Sequence, residues 1–346
     1  MRLFSIKRFI HYWMLSKSDL EKIKLVITPG TKVVISTHKS PDGDAIGSSC
    51  ALAMYLEKKG CICSIVVPDA LADFLYFIPY SNKIIVFDKM EARAKEVLSD
   101  SDVVFSLDYN DLKRAGSFGD LIADSKSLKV LIDHHEEPNY EGDIYFNDPT
   151  CCSTAQLVFD FIDELNDIEL VDIPIAEAIY FGLITDTGSF RFPSVNERTH
   201  EIIAHFLKMG LAHFKVHEAI FDHNSMNRLQ LNGFAVSERL ELLENGRVAF
   251  IWLKEEDLHR FSAEKGDTEG LVNKALSISG VEMAAFFRSA KEMVKISFRS
   301  KGSIFVNELA RDHFNGGGHK YAAGGSSEET INETIAKFKK VVQKYV

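Results

Sequence analysis

The sequence predicts an α/β protein: a domain built on a parallel sheet, a helical connector, and a smaller α/β domain. Three observations predict it. Apolar runs alternate with helical patterns through the first half, three of those runs end in His or Asp, and the pattern resets near residue 246. A length of 346 residues suggests two domains and leaves room for a third. The expected boundaries are 1–222 for the first domain, 223–241 for the connector and 242–346 for the second domain.

The elements follow in order. KVVIST (32–37) reads as a buried strand, and helical spacing over 45–59 stops at Gly60. CICSIVV (61–67), KIIVF (83–87), VVFSLD (103–108) and KVLID (129–133) are further strands. Helical patterns cover 153–166, 174–185 and 199–209. The stretch 211–245 is mixed and largely helical, with no long apolar run. In the second domain RVAFIWL, VEMAAFFRS and MVKISFRS read as strands, and 305–314 and 328–345 as helices. The opening MRLFSIKRFIHYWML is basic and apolar, but Lys7, Arg8 and His11 interrupt it and no small-residue cleavage site follows. It is expected as a short helix on the first domain. A peripheral membrane contact and a start at Met14 are the alternatives.

Composition narrows the function. Apolar residues at 46% and charged residues at 26% exclude disorder and fibrous repeats. A net charge of −10 argues against a protein that coats long duplex DNA by neutralising phosphates. It allows a short nucleotide in a local basic pocket, and carboxylates gathered around divalent metal. The cysteines Cys50, Cys61, Cys63, Cys151 and Cys152 fit neither a zinc C-x-x-C pair nor a secreted disulfide framework. Reduced thiols in the cytoplasm are expected. No run of 18 apolar residues suggests a transmembrane helix.

The chemistry concentrates at strand ends. VVIST runs into His38, Asp42 and Asp44, VVFSL into Asp108, and KVLI into Asp133, His134 and His135. In an open parallel sheet, ligands bind outside the carboxyl ends of the strands. Three strand tips therefore deliver three His and four Asp to one edge, and Asp186 ends a later helical pattern. Carboxylates and imidazoles without thiolate suit Mn, Mg, Fe or Zn. Repulsion among so many carboxylates calls for at least two cations, an arrangement that recurs in displacement at phosphorus. Asp108, alone at its strand tip, is the expected bridge. Gly316, Gly317 and Gly318 let a backbone approach an anion, and His319 adds a hydrogen bond or a stacking surface. Arg299 and Ser300, a polar pair at a strand end, lie close in sequence.

Taken together, THKSPDGDAIGS (37–48), SLDYNDLKRAG (106–116), Asp133-His134-His135 and LITDTGSFRF (183–192) resemble the DHH phosphoesterase superfamily. ISFRSKG (296–302) and NGGGHKYAAGG (315–325) look like its associated second domain. The resemblance covers nearly the whole chain beyond about residue 17 and points to the stand-alone oligoribonuclease (nanoRNase) and 3′-phosphoadenosine-5′-phosphate (pAp) phosphatase branch. It implies two divalent cations, Mn²⁺ first, with Mg²⁺ or Co²⁺ as alternatives. His38, Asp42 and Asp108 would hold one ion; Asp44, Asp108, His134 and Asp186 the other. His135 would face the scissile phosphate as proton or hydrogen-bond donor, and Asp133 would orient a histidine ring. Arg114 and Arg191 are candidate phosphate contacts; Arg299, Ser300, Gly316, Gly317, Gly318 and His319 would hold the rest of the nucleotide. Asn315 departs from the family, which often has a fourth glycine there, and this bears on fine substrate preference.

The expected activity is hydrolysis of dinucleotides to pentanucleotides of RNA to mononucleotides, and of pAp to AMP. A hydroxide activated by two metals would attack phosphorus. The protein is expected as a monomer or homodimer without a membrane partner. Alternatives are a cyclic di-AMP or pApA phosphodiesterase, a pyrophosphatase or longer-strand exonuclease, and a non-catalytic nucleotide-binding protein.

Overall fold

The computed structural model describes residues 15–139, 142–222, 224–264, 266–291 and 293–346, without the side chain of His319. The opening segment expected as a helix lies outside the described residues except for Leu15. The chain divides into two compact units, one ending at Asp222 and the other running to Val346.

The first unit carries a six-stranded parallel sheet: β1 (Lys32–Ser36), β2 (Ile62–Val67), β3 (Ile85–Val86), β4 (Val103–Leu107), β5 (Leu128–Asp133) and β6 (Ile144–Asn147). Their order is β3-β2-β1-β4-β5-β6. Val33, Val34 and Ile35 are all buried, as both faces of a parallel sheet must be when helices cover them. The covering helices are α1 (Lys17–Val26), α2 (Gly43–Lys58), α3 (Phe87–Ser99), α4 (Ser117–Asp124), α5 (Thr154–Glu164), α6 (Ile173–Asp186), α7 (Glu197–Lys208) and α8 (His213–Phe221).

Helices α2 and α6 cross closely at glycines. A Cβ on Gly47 of α2 would stand 2.5 Å from the Ala178 carbonyl oxygen of α6. A Cβ on Gly182 of α6 would stand 2.8 Å from Asp44 Oδ1 of α2. Only glycine permits backbones to close this far.

The second unit opens with α9 (Met226–Glu238), inside the stretch read from sequence as connector; its Leu231 and Ala235 are buried in the core of this unit. A six-stranded mixed sheet follows, ordered β11-β12-β10-β9-β8-β7. Its strands are β7 (Leu240–Leu243), β8 (Val248–Leu253), β9 (Met283–Ala290), β10 (Met293–Ser300), β11 (Gly317–His319) and β12 (Ala322–Ser327). Helices α10 (Glu255–Arg260), α11 (Leu271–Leu276), α12 (Val306–His313) and α13 (Ile331–Val341) pack on it. Phe250, Phe287, Phe298 and Phe338 form its aromatic centre. No described helix is long and apolar enough to cross a membrane, and all five cysteines are unpaired.

Candidate metal centre

The chain runs outward from β1 to β2 and β3, then returns past β1 to begin β4. The carboxyl ends of β1 and β4 therefore flank the point where strand order reverses, the usual crevice for ligands in such sheets. His38 follows β1, Asp108 follows β4, and Asp133 closes β5 with His134 and His135 behind it. Asp42 caps α2, accepting from the amides of Asp44 and Ala45 at 3.1 Å each. Asp186 is the last residue of α6.

These groups converge. Asp108 Oδ2 lies 3.4 Å from His38 Nε2, and Oδ1 lies 3.5 Å from His134 Nε2. His38 Nε2 is also 3.9 Å from Asp42 Oδ2. His134 Nε2 is 3.5 Å from Asp186 Oδ2 and 3.9 Å from Asp44 Oδ2. The donor atoms gather into overlapping clusters: His38, Asp42 and Asp108; Asp44, His134 and Asp186; and Asp108 with His134 and His135. Asp108 thus presents one oxygen to each side. Its backbone is left-handed, φ +63°, a conformation that non-glycine residues adopt at a cost and that clusters at functional sites.

Protonation follows the geometry. Burial opposes ionisation of Asp108, but hydrogen bonds from His134 and His38 outweigh it and hold the carboxyl well below its usual range. Burial also opposes charge on His134; Asp186, Asp108 and Asp44 still raise it well above an ordinary imidazole. His38 is raised too, as the Asp108 hydrogen bond and the Asp42 charge overcome burial. Asp44 is pushed well up by burial and by the Asp108 and Asp186 carboxylates. The carboxylates thus favour positive charge on both histidines. Such a set, hard donors with a deficit of positive charge, fits divalent cations.

Other groups hold the cluster in place. Thr154 and Ala155, the first residues of α5, donate their amides to Asp44 Oδ2 and Oδ1 at 2.7 and 2.8 Å. The Thr154 hydroxyl donates to Asp108 Oδ1 at 3.0 Å. His134 Nδ1 lies 3.2 Å from the Cys151 carbonyl oxygen, and His135 Nδ1 lies 2.7 Å from Asp133 Oδ1. Among the described residues, the other oxygen of fully buried Asp133 has no hydrogen-bond partner. Burial pushes His135 below the usual imidazole value, with Asp133 pulling the other way. Sequence reasoning missed Thr154 and the Cys151 carbonyl. The Ser-Thr pair before an apolar helical pattern signals a cap, but nothing local reveals which distant carboxylate the cap meets.

The arginines differ. Arg114 is part-buried, and its charge lowers the proton affinity of both His38 and His135, which brings it within electrostatic reach of the cluster. Arg191 is exposed, and its Nε donates to the Gly188 carbonyl at 2.6 Å. It follows three consecutive left-handed residues, Gly188, Ser189 and Phe190, a mirror-image turn behind Asp186. The Thr187 hydroxyl accepts the Phe190 amide at 2.9 Å and braces that turn.

In the second unit, a Cβ on Gly316 would lie 2.0 Å from the Gly324 carbonyl oxygen, and one on Gly318 2.7 Å from that of Ala322. Close strand pairing therefore accounts for two of the three glycines. Among the described residues, Gly317 has nothing within 4 Å of such an atom. Part-buried Arg299 donates Nη1 to the Phe298 carbonyl at 2.9 Å. The Ser300 hydroxyl donates to the Ile304 carbonyl at 2.6 Å, which closes the loop after β10. His319 lies on β11; its side chain is outside the described residues.

Residues 32–183 match the DHH family, N-terminal domain, and residues 245–346 match the DHHA1 domain. The chain belongs to the DHH family. Members of this family are metal-dependent phosphoesterases. The chain is 27% identical over 300 residues to the bifunctional oligoribonuclease and PAP phosphatase NrnA of Bacillus subtilis, covering 85% of this chain and 88% of that one. It is 25% identical to the cyclic-di-AMP phosphodiesterase PdeA of Listeria monocytogenes over 94% of this chain but 49% of that one. A crystal structure of an exopolyphosphatase-related protein from Bacteroides fragilis superposes with a TM-score of 0.91 at 35% identity, covering 97% and 98% of the two chains. The DHH family match thus agrees with the resemblance read from the motifs.

Proposed function

We propose that this chain hydrolyses short oligoribonucleotides, dinucleotides to pentanucleotides, and dephosphorylates pAp to AMP. The observation that carries the reading is the split of Asp108 between the His38 and His134 sides of one buried cluster. Similarity to NrnA over most of both chains supports this substrate class. Two divalent cations, Mn²⁺ first, would be held by His38, Asp42 and Asp108 and by Asp44, Asp108, His134 and Asp186. When bound they acidify water and offset charge on the phosphoryl group.

The protein residues do the rest. Asp108 and Asp44 stay in place through α5. Asp133 holds His135 by Nδ1, which leaves Nε2 as the nitrogen that can serve the leaving oxygen. Burial lowers the proton affinity of the ring and a negative substrate beside it raises it, so Nε2 can take a proton from solvent as the phosphate binds and pass it to the leaving oxygen. Arg114 offsets phosphate charge beside His38. The glycine strand with Gly317, together with Arg299, Ser300 and His319, recognises the nucleotide in the second unit, and Arg191 adds a phosphate contact. Reduced, unpaired cysteines support a cytoplasmic setting.

Hydrolysis of pAp, pApA and cyclic di-AMP with Mn²⁺, with and without chelator, tests the reading. Turnover of pAp and pApA that stops with chelator is expected. Turnover of cyclic di-AMP alone would replace this reading with the cyclic-dinucleotide one, and no turnover of any would leave a binding protein.

A further inference from the structure

We propose that Thr154 is a positioning residue that fixes the rotation of the Asp108 carboxylate, and so decides whether the chain holds two cations or one. The inference rests on the reading of this cluster as a two-cation site.

Rotation about the last bond of an aspartate is broad and two-fold, so the side chain itself does not choose the plane of its oxygens. The position of Asp108 demands a choice, because Oδ2 faces His38 and Oδ1 faces His134. A quarter turn would withdraw both oxygens from both sides. In the cation-free protein His38 Nε2 and His134 Nε2 lie against those two oxygens, at 3.4 and 3.5 Å. A histidine that binds a cation turns its lone pair to the ion and no longer donates to Asp108. Among the described contacts, the Thr154 hydroxyl at 3.0 Å is then the side-chain donor left on that carboxylate.

Thr154 suits the task. It is fully buried, its β-branched side chain is stiff at χ1, and its own amide is tied to Asp44 Oδ2. One residue therefore spans the carboxylates of both clusters. The side that depends most on a correct Asp108 is that of His38, which without it keeps only the exposed Asp42. Asp44, His134 and Asp186 remain three donors without help.

The test is Mn²⁺ titration of chelator-stripped protein, followed by electron paramagnetic resonance of free Mn²⁺ and by calorimetry. The parent chain binds two ions. Thr154→Val keeps the amide and most of the volume but loses the hydroxyl. Its tighter ion binds nearly as before and its weaker ion binds about 10- to 100-fold more weakly, as removal of an outer partner typically does. Thr154→Ser, which keeps the hydroxyl, restores the second ion. Two ions at parental affinity in Thr154→Val overturn the inference, as does a Ser variant as weak as Val. A parent chain that binds no ion overturns the two-cation reading itself. If Thr154→Val does not fold, Thr154→Ala lacks the same hydroxyl: loss of the weaker ion is again expected, and two ions at parental affinity again overturn the inference.

Discussion

Gly182→Ala probes how tightly the fold holds the site. The added methyl would lie 2.6 Å from Ala155 Cβ, 2.8 Å from Asp44 Oδ1 and 3.3 Å from Asp44 Cα. Carbon pairs settle at about 3.5–4.0 Å, so α6 must withdraw from α2 and α5 by about 1 Å. Overpacking of this kind costs about 1–3 kcal/mol. Alanine returns about 1 kcal/mol of helix propensity. Global stability therefore falls by no more than about 2 kcal/mol, the difference of those two figures. Function falls further, because the displaced groups are Asp44, its amide donors on α5 and, at the end of α6, Asp186. A displacement of about 1 Å in a reacting constellation costs about 10²-fold in rate. Thermal unfolding, Mn²⁺ titration and pAp turnover on one preparation measure the three quantities. A variant that folds, binds Mn²⁺ as the parent does and turns over pAp within about twofold of it would refute the claim that this contact sets the ligand spacing.

Other expectations follow from the same geometry. Asp108→Ala removes a donor from both clusters, so chelator-sensitive hydrolysis of pAp should vanish; near-parental turnover would contradict the shared carboxylate. His319→Ala should raise KM for pAp with little change in kcat, and steady-state kinetics showing the reverse split would move this residue into the chemistry. In chelated protein His134 and His38 have raised folded pKa values, so their stabilisation is present below the ordinary imidazole value of 6.5 and is lost as pH rises through the raised values. Asp44, also raised, acts in the same direction. The melting temperature of chelated protein should fall as pH climbs above 6.5. Mn²⁺ affinity should rise over the same range, since each histidine must shed a proton to bind. A chelated protein whose melting temperature is flat across that window would show these histidines to be neutral already.

Much of the catalytic unit was legible in the sequence. Its central strands β1 and β4 are short apolar runs buried on both faces, and the tips of β1, β4 and β5 carry His38, Asp108 and Asp133-His134-His135, so pattern and chemistry reinforced each other. Asp186 was readable at the end of a helical pattern. The parts that escaped are long-range or short. β6 has four residues and β7 four, too few for a periodic signal. β11 and β12 are rich in glycine and look like loop until the partner strand is known. The glycines at 316 and 318 illustrate the same limit: the sequence suggests anion binding, while the structure adds close backbone pairing with Gly324 and Ala322. Thr154 reads locally as a helix start, and its hydroxyl finds Asp108 only because α5 docks beside the end of β4.

The mirror-image turn at Gly188–Phe190 has an electrostatic consequence. It keeps α6 from winding past Thr187, which leaves Asp186 at a helix C-terminus, where the aligned peptide dipoles sum to roughly half an elementary negative charge. An incoming cation is thus drawn by the peptide dipole as well as by side chains, while the opposite pole, at the start of α5, steadies the Asp44 carboxylate. The two helices set their ends against the cluster with opposite sign, a field that would persist if any one acidic side chain were replaced.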